Sequence, residues 1–492
     1  MSFISVRDPI YQFIDINKDL CIEVIDSDFF QRLRWVNQLP LEQLVYPSAV
    51  HSRFEHSLGV MYLARFAAEN LCKNEGAKMK EILDEEGLEK KDFIEGAVIA
   101  GLLHDIGHAP FSHTFEEASI YAGNYCYKHE EVGYHIVEKL IGGKEAKSYQ
   151  LALQALNKKL GKNKTGLARV SYSALILRRL IDGPIDVDKG DYLLRDAYHC
   201  GVEYGIYGWQ RLWKHISLTQ DLRICVGEKG AEEAWALVIN RFRMHKAVYK
   251  HHVRLITDAM LVKLIRSALE DNGQVNRLFP ALAEGRLADE RAEFFFKSWN
   301  DGSFLHALSD YYRDKAENDL IDSFLKRKLF KRTFDSWSAG ISLPEDWVEG
   351  RKNIEVRKRI RKVLDGLERE LQRYHVESLA VVHYPDVPPV FDKTVQTFEG
   401  IVVKTKSGQE VPLAEYLGFG LKMTEETAEE FGDDEQETPN LQGQDKIEDF
   451  IKMYVKESEP KLLIFTKSKA YKESIDPQIV KEYVLREWKK SS

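Results

Sequence analysis

Apolar residues at helical spacing run through most of the N-terminal half of the chain, and this pattern constrains the fold more than any other sequence feature. Leu58, Tyr62 and Phe66 recur every four residues, so they share one face of an amphipathic helix. The segment 93–106 repeats the pattern, as do SYSALILRRLI and AWALVINRFRMHKAVYKHHVRLITDAM. The sequence therefore predicts an almost entirely helical core over residues 1–270.

The pattern changes in the C-terminal part of the chain. The segments LAVVHYP, TFEGIVVKT and KLLIFTK are short β-branched or aromatic runs, which are typical of strands, whereas EVRKRIRKVLDGLERELQRY has the pattern of a charged amphipathic helix. A run of acidic residues with few apolar ones indicates a surface loop or linker. We expect a mainly α fold with a mixed α+β C-terminal region. The predicted units are the helical core (1–270), a helical and mixed α/β extension (271–424), the acidic loop or linker (425–446) and a C-terminal α/β segment (447–492).

Charge and cysteine content exclude several classes of protein. The formal net charge is -8, and a broad surface for nucleic acid is normally basic, so such binding is not favoured. A local cationic pocket for a small anion stays open. The five cysteines lack CxxC spacing, which indicates neither a disulfide framework nor a cysteine-based zinc site. No leader pattern and no apolar run of membrane-spanning length is present, and we expect a cytoplasmic protein.

The segment LLHDIGH places a histidine and a carboxylate at the end of an apolar helix, before a glycine and Pro110. Imidazole nitrogen and carboxylate oxygen together suit a divalent transition metal. The dipeptide His104-Asp105 alone equally fits a helix end that favours a histidine through the helix dipole. His56 upstream and Asp188 downstream supply a further imidazole and a further carboxylate, and with them a metal site becomes the better interpretation.

The set His56, His104, Asp105 and Asp188 resembles the ligand signature of the HD superfamily of metal-dependent phosphohydrolases. The phrases FFQRLRWVNQL, YPSAVHSRFEHSLGVMYLA, AGLLHDIGHAPFSHTFE and DVDKGDYLLRDAYHCG are similar, more narrowly, to its deoxynucleoside triphosphate triphosphohydrolase branch. The resemblance covers about residues 6–260, so no N-terminal SAM-type module is expected. It implies an HD-domain helical core and a divalent metal, which the ligand set allows to be manganese, iron, nickel or zinc, with magnesium as a candidate second ion.

Two ladders of side chains at intervals of four carry the implied substrate contacts. The first holds Asp188, Tyr192 and Asp196, and the second holds Arg241, His245 and Tyr249. By resemblance, the ladder residues other than the metal ligand Asp188, together with Lys189, contact the phosphates, the sugar and the base, and Gln38 contacts the sugar. Their ordinary alternatives are a half-buried helix tyrosine and a solvated basic helix face.

The resemblance also implies a proton-transfer pair and a phosphate-binding arginine. His129 matches the catalytic histidine, and Glu116 stands where an aspartate is common. Arg53 matches the arginine, whose planar fork suits bidentate phosphate recognition. His108 and His113 are expected to line the same pocket. The implied reaction is attack of water on the α-phosphorus, which releases the nucleoside and intact triphosphate.

Regulation and assembly are also suggested by resemblance. Asp26, Gln31 and Arg34 match positions that bind a nucleotide activator in regulated members of the family, although Arg7 stands where an asparagine is usual. A homo-oligomer, either dimer or tetramer, is expected. Gly190 departs from the bulky residue often found after the lysine.

Two other readings stay open. One is an HD phosphohydrolase for another phosphoester, such as a nucleoside monophosphate, a ribonucleoside triphosphate or a cyclic or oligomeric nucleotide. The pair of Gln38 and Asp196 favours deoxynucleoside triphosphates over these substrates. The other is a non-catalytic scaffold that binds nucleotides or nucleic acid, and the complete ligand set argues against it.

Overall fold

The computed structural model confirms a mainly helical fold with small sheets. Among the helices of the described residues, none is both long enough and apolar enough to cross a membrane. The predicted acidic loop at 425–446 lies outside the described residues. The structure describes residues 3–122, 127–157, 171–271, 290–384, 400–417 and 460–491.

The elements before residue 272 form the larger part of the fold. They are β1 (Phe3–Asp8), β2 (Gln12–Asn17), α1 (Lys18–Ile25), α2 (Asp28–Gln31), α3 (Arg53–Asn74), α4 (Gly76–Glu85), α5 (Lys90–Leu103), α6 (Ser112–Tyr121), α7 (His129–Ile141), α8 (Lys147–Leu156), α9 (Tyr172–Ile181), α10 (Val187–Cys200), α11 (Trp209–Lys214), β3 (Ile216–Leu218), β4 (Ile224–Gly227), α12 (Ala231–Met244), a π-helical turn (His245–Tyr249) and α13 (His252–Glu270).

The elements after residue 289 supply further helices and most of the strands. They are α14 (Glu290–Ser298), α15 (Asp301–Tyr312), α16 (Asn318–Leu325), β5 (Lys331–Asp335), α17 (Ile354–Arg373), β6 (Ser378–His383), β7 (Val402–Lys404), β8 (Glu410–Pro412), α18 (Leu413–Tyr416), β9 (Lys461–Thr466) and α19 (Pro477–Ser491). The described sheets are the hairpin β1-β2, a four-stranded sheet in the order β3-β4-β7-β8, and a three-stranded sheet in the order β5-β9-β6.

The three strands predicted in the C-terminal part are present as β6, β7 and β9. The N-terminal part is less uniform than its periodicity indicated, because it also contains the hairpin β1-β2 and the strands β3 and β4. The long helical pattern after residue 230 is interrupted at His245–Tyr249 by the π-helical turn, after which α13 starts anew at His252.

Helices α3, α5 and α10 form the centre of the main core. Helix α3 packs against both α5 and α10, and it begins with a capping box in which the Glu55 side chain accepts a hydrogen bond from the backbone N–H of Ser52. Such a cap fixes the first turn of a helix. The start of α3, the end of α5 and the start of α10 therefore meet at one place.

The main core continues beyond residue 270, since Phe295, Phe304 and Tyr312 are buried in it. A second, smaller core forms between α17, α19 and the sheet β5-β9-β6, with Trp347 and Leu367 fully buried. The predicted unit boundary at 270 stays a prediction.

Two glycines allow α10 to lie directly against its neighbours. A Cβ on Gly59 of α3 would collide with Oδ1 of Asp191 and Nη2 of Arg195. A Cβ on Gly190 would lie 2.8 Å from atoms of both Leu63 and Trp213. Gly190 therefore faces the core, which explains why no bulky residue fits there.

We expect Gly59→Ala to destabilise the protein by about 3 kcal/mol or more, because the methyl group would separate the buried Asp191–Arg195 ion pair from α3. Denaturant unfolding measures this change. The control is Gly76→Ala, whose Cβ meets no atom within 4 Å and which should be neutral or slightly stabilising. Equal stability of Gly59→Ala and wild type would contradict the close approach of these helices.

Candidate active site

A cavity of about 550 Å³ opens where α3, α5 and α10 meet, and we call it the main cavity. Most of the side chains singled out in the sequence line it, although they come from segments more than 200 residues apart in the chain. These lining residues are Gln38, Arg53, His104, Asp105, His108, His113, His129, Asp188, Tyr192, Asp196, Arg241, His245 and Tyr249.

The four predicted metal ligands converge at the wall of the main cavity. His56 lies in the first turn of α3, His104 caps the C-terminus of α5, and Asp188 lies in the first turn of α10. Nε2 of His56 is 3.1 Å from Oδ1 of Asp188 and 3.6 Å from Oδ2 of Asp105. Nε2 of His104 is 3.4 Å from Oδ1 of Asp105 and 3.6 Å from Oδ1 of Asp188. These separations bring two nitrogens and two carboxylates within reach of one ion.

The orientation of the imidazoles fits a divalent metal. Nδ1 of His104 donates to the carbonyl oxygen of Gly101 at 2.8 Å, which makes Nε2 the unprotonated nitrogen. This Nε2 is buried and has no hydrogen-bond partner within the described residues. A buried lone pair that faces carboxylates and finds no donor is what a metal ion satisfies. His56, His104 and Asp188 can therefore hold a metal ion.

Burial and charge act together on the titration of this cluster. Burial opposes the imidazolium of His56, but its hydrogen bonds to Asp188 and Asp191 outweigh this effect and raise its pKa to about 10. Burial likewise opposes the carboxylate of Asp188, but the two histidines lower its pKa. Metals bind neutral imidazole, so uptake of an ion at this site would release a proton.

A buried chain of charged residues behind the ligands was missed by the sequence analysis. Nδ1 of His56 donates to Oδ2 of Asp191 at 2.8 Å. The guanidinium of Arg195 donates to both carboxylate oxygens of Asp191 at 2.9 Å, and it donates to Oδ2 of Asp8 on β1 at 2.8 Å. The i, i+4 spacing of Asp191 and Arg195, three residues beyond Asp188, was the signal that could have revealed it.

Arg53 spans the ligand cluster and the neighbouring turn. Its Nη1 is paired with Oδ2 of Asp105, and its Nε donates to Oγ of Ser112 at 2.8 Å. Ser112 and Phe111 both have left-handed backbone conformations, with φ of 47° and 57°. Such a conformation costs about 1–3 kcal/mol for a non-glycine residue, so surrounding contacts must hold this turn.

Asp301, from beyond residue 270, and Arg32, from the segment after α2, hold this turn. Oδ1 of Asp301 accepts from the backbone N–H of Phe111 at 2.8 Å, and Oδ2 accepts from that of Asn37 at 3.0 Å. Arg32 donates to the carbonyl oxygens of His108 at 2.6 Å and Trp299 at 3.1 Å. Burial raises the pKa of Asp301 to about 6. Neither residue was singled out in the sequence.

His129 and Glu116 form the predicted pair. Nδ1 of His129 donates to Oε2 of Glu116 at 2.9 Å, and its ring stacks on that of His108 with centroids 4.0 Å apart. Burial opposes the charged ring of His129, but the hydrogen bond to Glu116 raises its pKa. Burial and the nearby Arg53 lower the pKa of His108, which stays neutral. His113 lies 3.5 Å from Glu116 and is mostly exposed.

The opposite end of the main cavity carries hydrogen-bond acceptors. The hydroxyl of Tyr249 donates to Oδ2 of Asp196 at 2.6 Å, and Nε2 of His51 reaches Oδ1 at 2.7 Å. Oε1 of Gln38 is buried and has no hydrogen-bond partner in the described part of the chain. Nε of Arg241 donates to the hydroxyl of Tyr192 at 3.2 Å. His51 was missed because it resembles an ordinary loop residue.

Three predicted residues lie outside the lining of the main cavity. Nζ of Lys189 is 2.5 Å from Oδ2 of Asp186, the residue that caps α10, and its side chain is largely covered. His56 and Glu116 also lie outside the lining. His56 faces Asp105 and Asp188 with its Nε2, and Glu116 contacts His129. Lining residues that the sequence analysis did not assign include Glu42, Ser112, Glu130, Tyr134, Arg178, Asp182, Lys250 and Arg254.

The residues of the predicted activator site are not among those that line the main cavity. Nε of Arg34 donates to Oε1 of Gln31 at 2.8 Å, and its guanidinium stacks over Phe54 at 3.5 Å. Nε2 of Gln31 donates to the carbonyl oxygen of Ile25 at 2.8 Å. Asp26 caps the C-terminus of α1. The activator site stays a prediction.

Comparison with known proteins gives the following matches. Residues 53–195 match the family model described as HD domain, and residues 208–370 match the one described as HD associated region. The first range contains the four candidate metal ligands. The second contains Arg241, His245, Tyr249 and Asp301.

Two curated relatives each match about half of the chain. The chain is 33% identical over 269 residues to an uncharacterized protein of Methanocaldococcus jannaschii, which is 54% of this chain and 50% of that protein. It is 31% identical over 281 residues to the deoxynucleoside triphosphate triphosphohydrolase SAMHD1 of Homo sapiens, which is 52% of this chain and 43% of that protein. The chain thus matches half or less of the length of these relatives.

One solved structure shares the fold over most of the chain. The crystal structure of a phosphohydrolase from Bacteroides thetaiotaomicron superposes with a TM-score of 0.63 at 23% identity. The superposition covers 94% of this chain and 99% of that one. At this identity the likeness concerns the fold alone.

We expect His104→Ala to lose bound divalent metal and to lower any metal-dependent turnover at least about 100-fold, since even the loss of a residue that supports a ligand costs about 10–100-fold. Elemental analysis of the purified protein measures the metal. His306→Ala is the matched control, because His306 is largely exposed on α15. Full metal content in His104→Ala would contradict the assignment.

Proposed function

Because the chain belongs to the HD-domain phosphohydrolase family, we propose that it hydrolyses deoxynucleoside triphosphates to deoxynucleoside and inorganic triphosphate. The observation that carries the proposal is the composition of the main cavity. One end holds the cluster of His56, His104, Asp105 and Asp188, and the other end holds buried acceptors on Gln38 and Asp196. Asp196 lies about 12 Å along α10 from Asp188. A nucleotide matches this order, because its sugar hydroxyls follow its phosphates along the molecule.

The phosphates are held by cations that line the main cavity. Arg53 stands beside Asp105, and Arg241 and His245 lie along the opposite wall. Guanidinium groups bind phosphate oxygens bidentately and disperse their charge as the bond breaks. A divalent metal, when bound, supplies a Lewis acid that polarises a phosphoryl oxygen and generates a nucleophile from water.

His129 is the proposed general acid. Burial opposes the charged ring, but the hydrogen bond to Glu116 raises the pKa of His129. This favours the protonated ring, which can donate a proton to the nucleoside oxygen as the bond to the α-phosphorus breaks. The neutral ring of His108, stacked on His129, excludes water from one face of this proton donor. Glu116 acts as a positioning residue.

The sugar end favours a hydroxyl donor. Each carboxylate oxygen of Asp196 already accepts one hydrogen bond, from His51 or from Tyr249, and each keeps a further lone pair. The buried Oε1 of Gln38 gains a partner when a hydroxyl of the sugar enters. A homo-oligomeric state and a cytoplasmic location are further proposals that rest on the family resemblance.

Product analysis tests the proposal. The purified protein is incubated with each dNTP and NTP, singly and mixed, in manganese or magnesium. We expect inorganic triphosphate plus deoxynucleoside in equal amounts. Turnover of mixtures alone would support an activator site. Release of phosphate or pyrophosphate in place of triphosphate, or no turnover of any triphosphate, would refute the proposed substrate class.

The pH profile tests the role of the His129–Glu116 pair. Activity requires protonated His129, so kcat/KM should fall as pH rises through the raised pKa of His129. In Glu116→Gln, burial is no longer opposed by the carboxylate, so this pKa falls and the alkaline limb moves to lower pH by about one unit or more. The control is Glu131→Gln, an exposed residue of α7, the helix that carries His129. An unmoved limb in Glu116→Gln would exclude His129 as the acid.

A further inference from the structure

A second cavity of about 330 Å³ lies beside the main cavity, and we call it the second cavity. Helices α6 and α13 form one side of it, and α17 and β6 form the other. His245 and Lys250 line both cavities. The charged side chains that line the second cavity are Lys250, Lys263, Arg266, Arg351, Arg357 and Arg361, with Glu117, Asp258 and Glu368 as the carboxylates.

One end of the second cavity is electrostatically balanced. Arg361 donates to Oδ1 of Asp365 at 2.8 Å and to Oε1 of Glu368 at 2.7 Å. Arg266 also reaches Asp365 at 2.9 Å, and Lys263 lies 3.3 Å from Glu368. Carboxylates thus neutralise the charges of Arg361, Arg266 and Lys263, so this end attracts an anion only weakly.

The other end carries positive charge without matching carboxylates in contact. Arg357 donates to the backbone carbonyl oxygens of Gly350 at 3.0 Å and Arg351 at 2.9 Å, which leaves its charge uncompensated by an anion. Nζ of Lys250 has no hydrogen-bond acceptor among the described residues. The hydroxyl of Tyr384 is buried and likewise lacks a partner in the ranges that the structure describes.

The lowered pKa of His383 indicates the same excess of positive charge. Burial, together with Lys250, Lys461 and Arg351, lowers the pKa of His383 to about 3, so this histidine stays neutral and adds no charge of its own. Glu117 also acts on Tyr384 at this end. Lys250 and Arg357 outnumber this carboxylate, so the potential at this end of the second cavity is positive at neutral pH.

Guanidinium, ammonium and phenol groups together match a phosphate group. The walls between the two ends are apolar, with Ile360, Leu379 and Val381 among them, and the volume suits a small molecule. We propose that the second cavity binds a small phosphate-bearing ligand, with its phosphate against Lys250, Arg357 and the Tyr384 hydroxyl. The apolar walls would contact the rest of the molecule. This place is separate from the predicted activator residues on α1 and α2.

Occupancy of the second cavity affects the main cavity through Lys250. A phosphate beside Lys250 draws its ammonium group away from the main cavity and so weakens the attraction of that cavity for an anionic substrate. The ligand therefore raises KM more than it lowers kcat. This effect on turnover rests on the proposed function, whereas the binding does not.

Calorimetric titration of the full-length, manganese-loaded protein tests the binding. AMP is the nucleotide probe and inorganic pyrophosphate the free phosphate probe. We expect a site whose Kd rises about tenfold or more in Arg357→Gln, because a charge-assisted hydrogen bond is lost, and to a smaller extent in Tyr384→Phe. Arg359→Gln is the matched control, since Arg359 lies on the same helix and donates to the backbone carbonyl oxygen of Trp488 at 2.9 Å outside the second cavity.

The outcomes separate the two parts of the inference. Tighter binding of AMP than of pyrophosphate assigns the apolar walls to a nucleotide, and the reverse assigns the site to a free polyphosphate. Unchanged affinity of both probes in Arg357→Gln and in Tyr384→Phe would overturn the site. Tyr384→Phe removes a hydroxyl without a partner in the described structure, so loss of folding cannot explain its result. If no nucleotide is hydrolysed, the titration still decides the binding.

Discussion

The buried hydrogen bond between His56 and Asp191 is the interaction on which the candidate site depends. It fixes which nitrogen of His56 faces the main cavity, and Arg195 neutralises the carboxylate that accepts it. Removal of one partner of such a buried pair typically costs about 3–5 kcal/mol, because a charge is left without compensation. Arg195 of α10 also donates to Asp8 of β1, so the same series of buried charges connects the N-terminal hairpin to α10. The metal ligands thus rest on structure that never touches the ion.

The C-terminal extension is part of the site in the same sense. Asp301 holds two backbone segments that border the main cavity, one at Asn37 and one at Phe111. The second of these carries Ser112, which orients Arg53. The match of residues 208–370 to an HD associated region therefore has a physical meaning. Without Asp301, the left-handed turn at Phe111 would lose the acceptor of its backbone N–H and its connection to Asn37.

The candidate metal ligands could be predicted from the sequence because histidine and aspartate at helix ends form a recognisable pattern. The structure brings His56, His104, Asp105 and Asp188 together. It could not identify Asp301, which lies 190 residues from its partner Phe111, so nothing local marks it. Lys189 shows the limit of motif transfer, because its charge is taken up by Asp186. Long helices were predictable from periodicity. The hairpin was missed because its strands have only six residues each, although Ile14 and Ile16 of β2 alternate with polar residues.

The π-helical turn at His245–Tyr249 sets the directions in which Arg241 and Tyr249 point around the helix axis. On a regular α-helix, Arg241 and Tyr249 would point about 80° apart around the axis, since each residue advances the helix by about 100°. The wider turn reduces this angle, and both side chains reach the main cavity. The hydrogen bond from Tyr249 to Asp196 therefore depends on the π-helical turn as well as on the tyrosine. A sequence change that restored a regular pitch would retain every functional side chain and still disconnect the sugar end from the phosphate end.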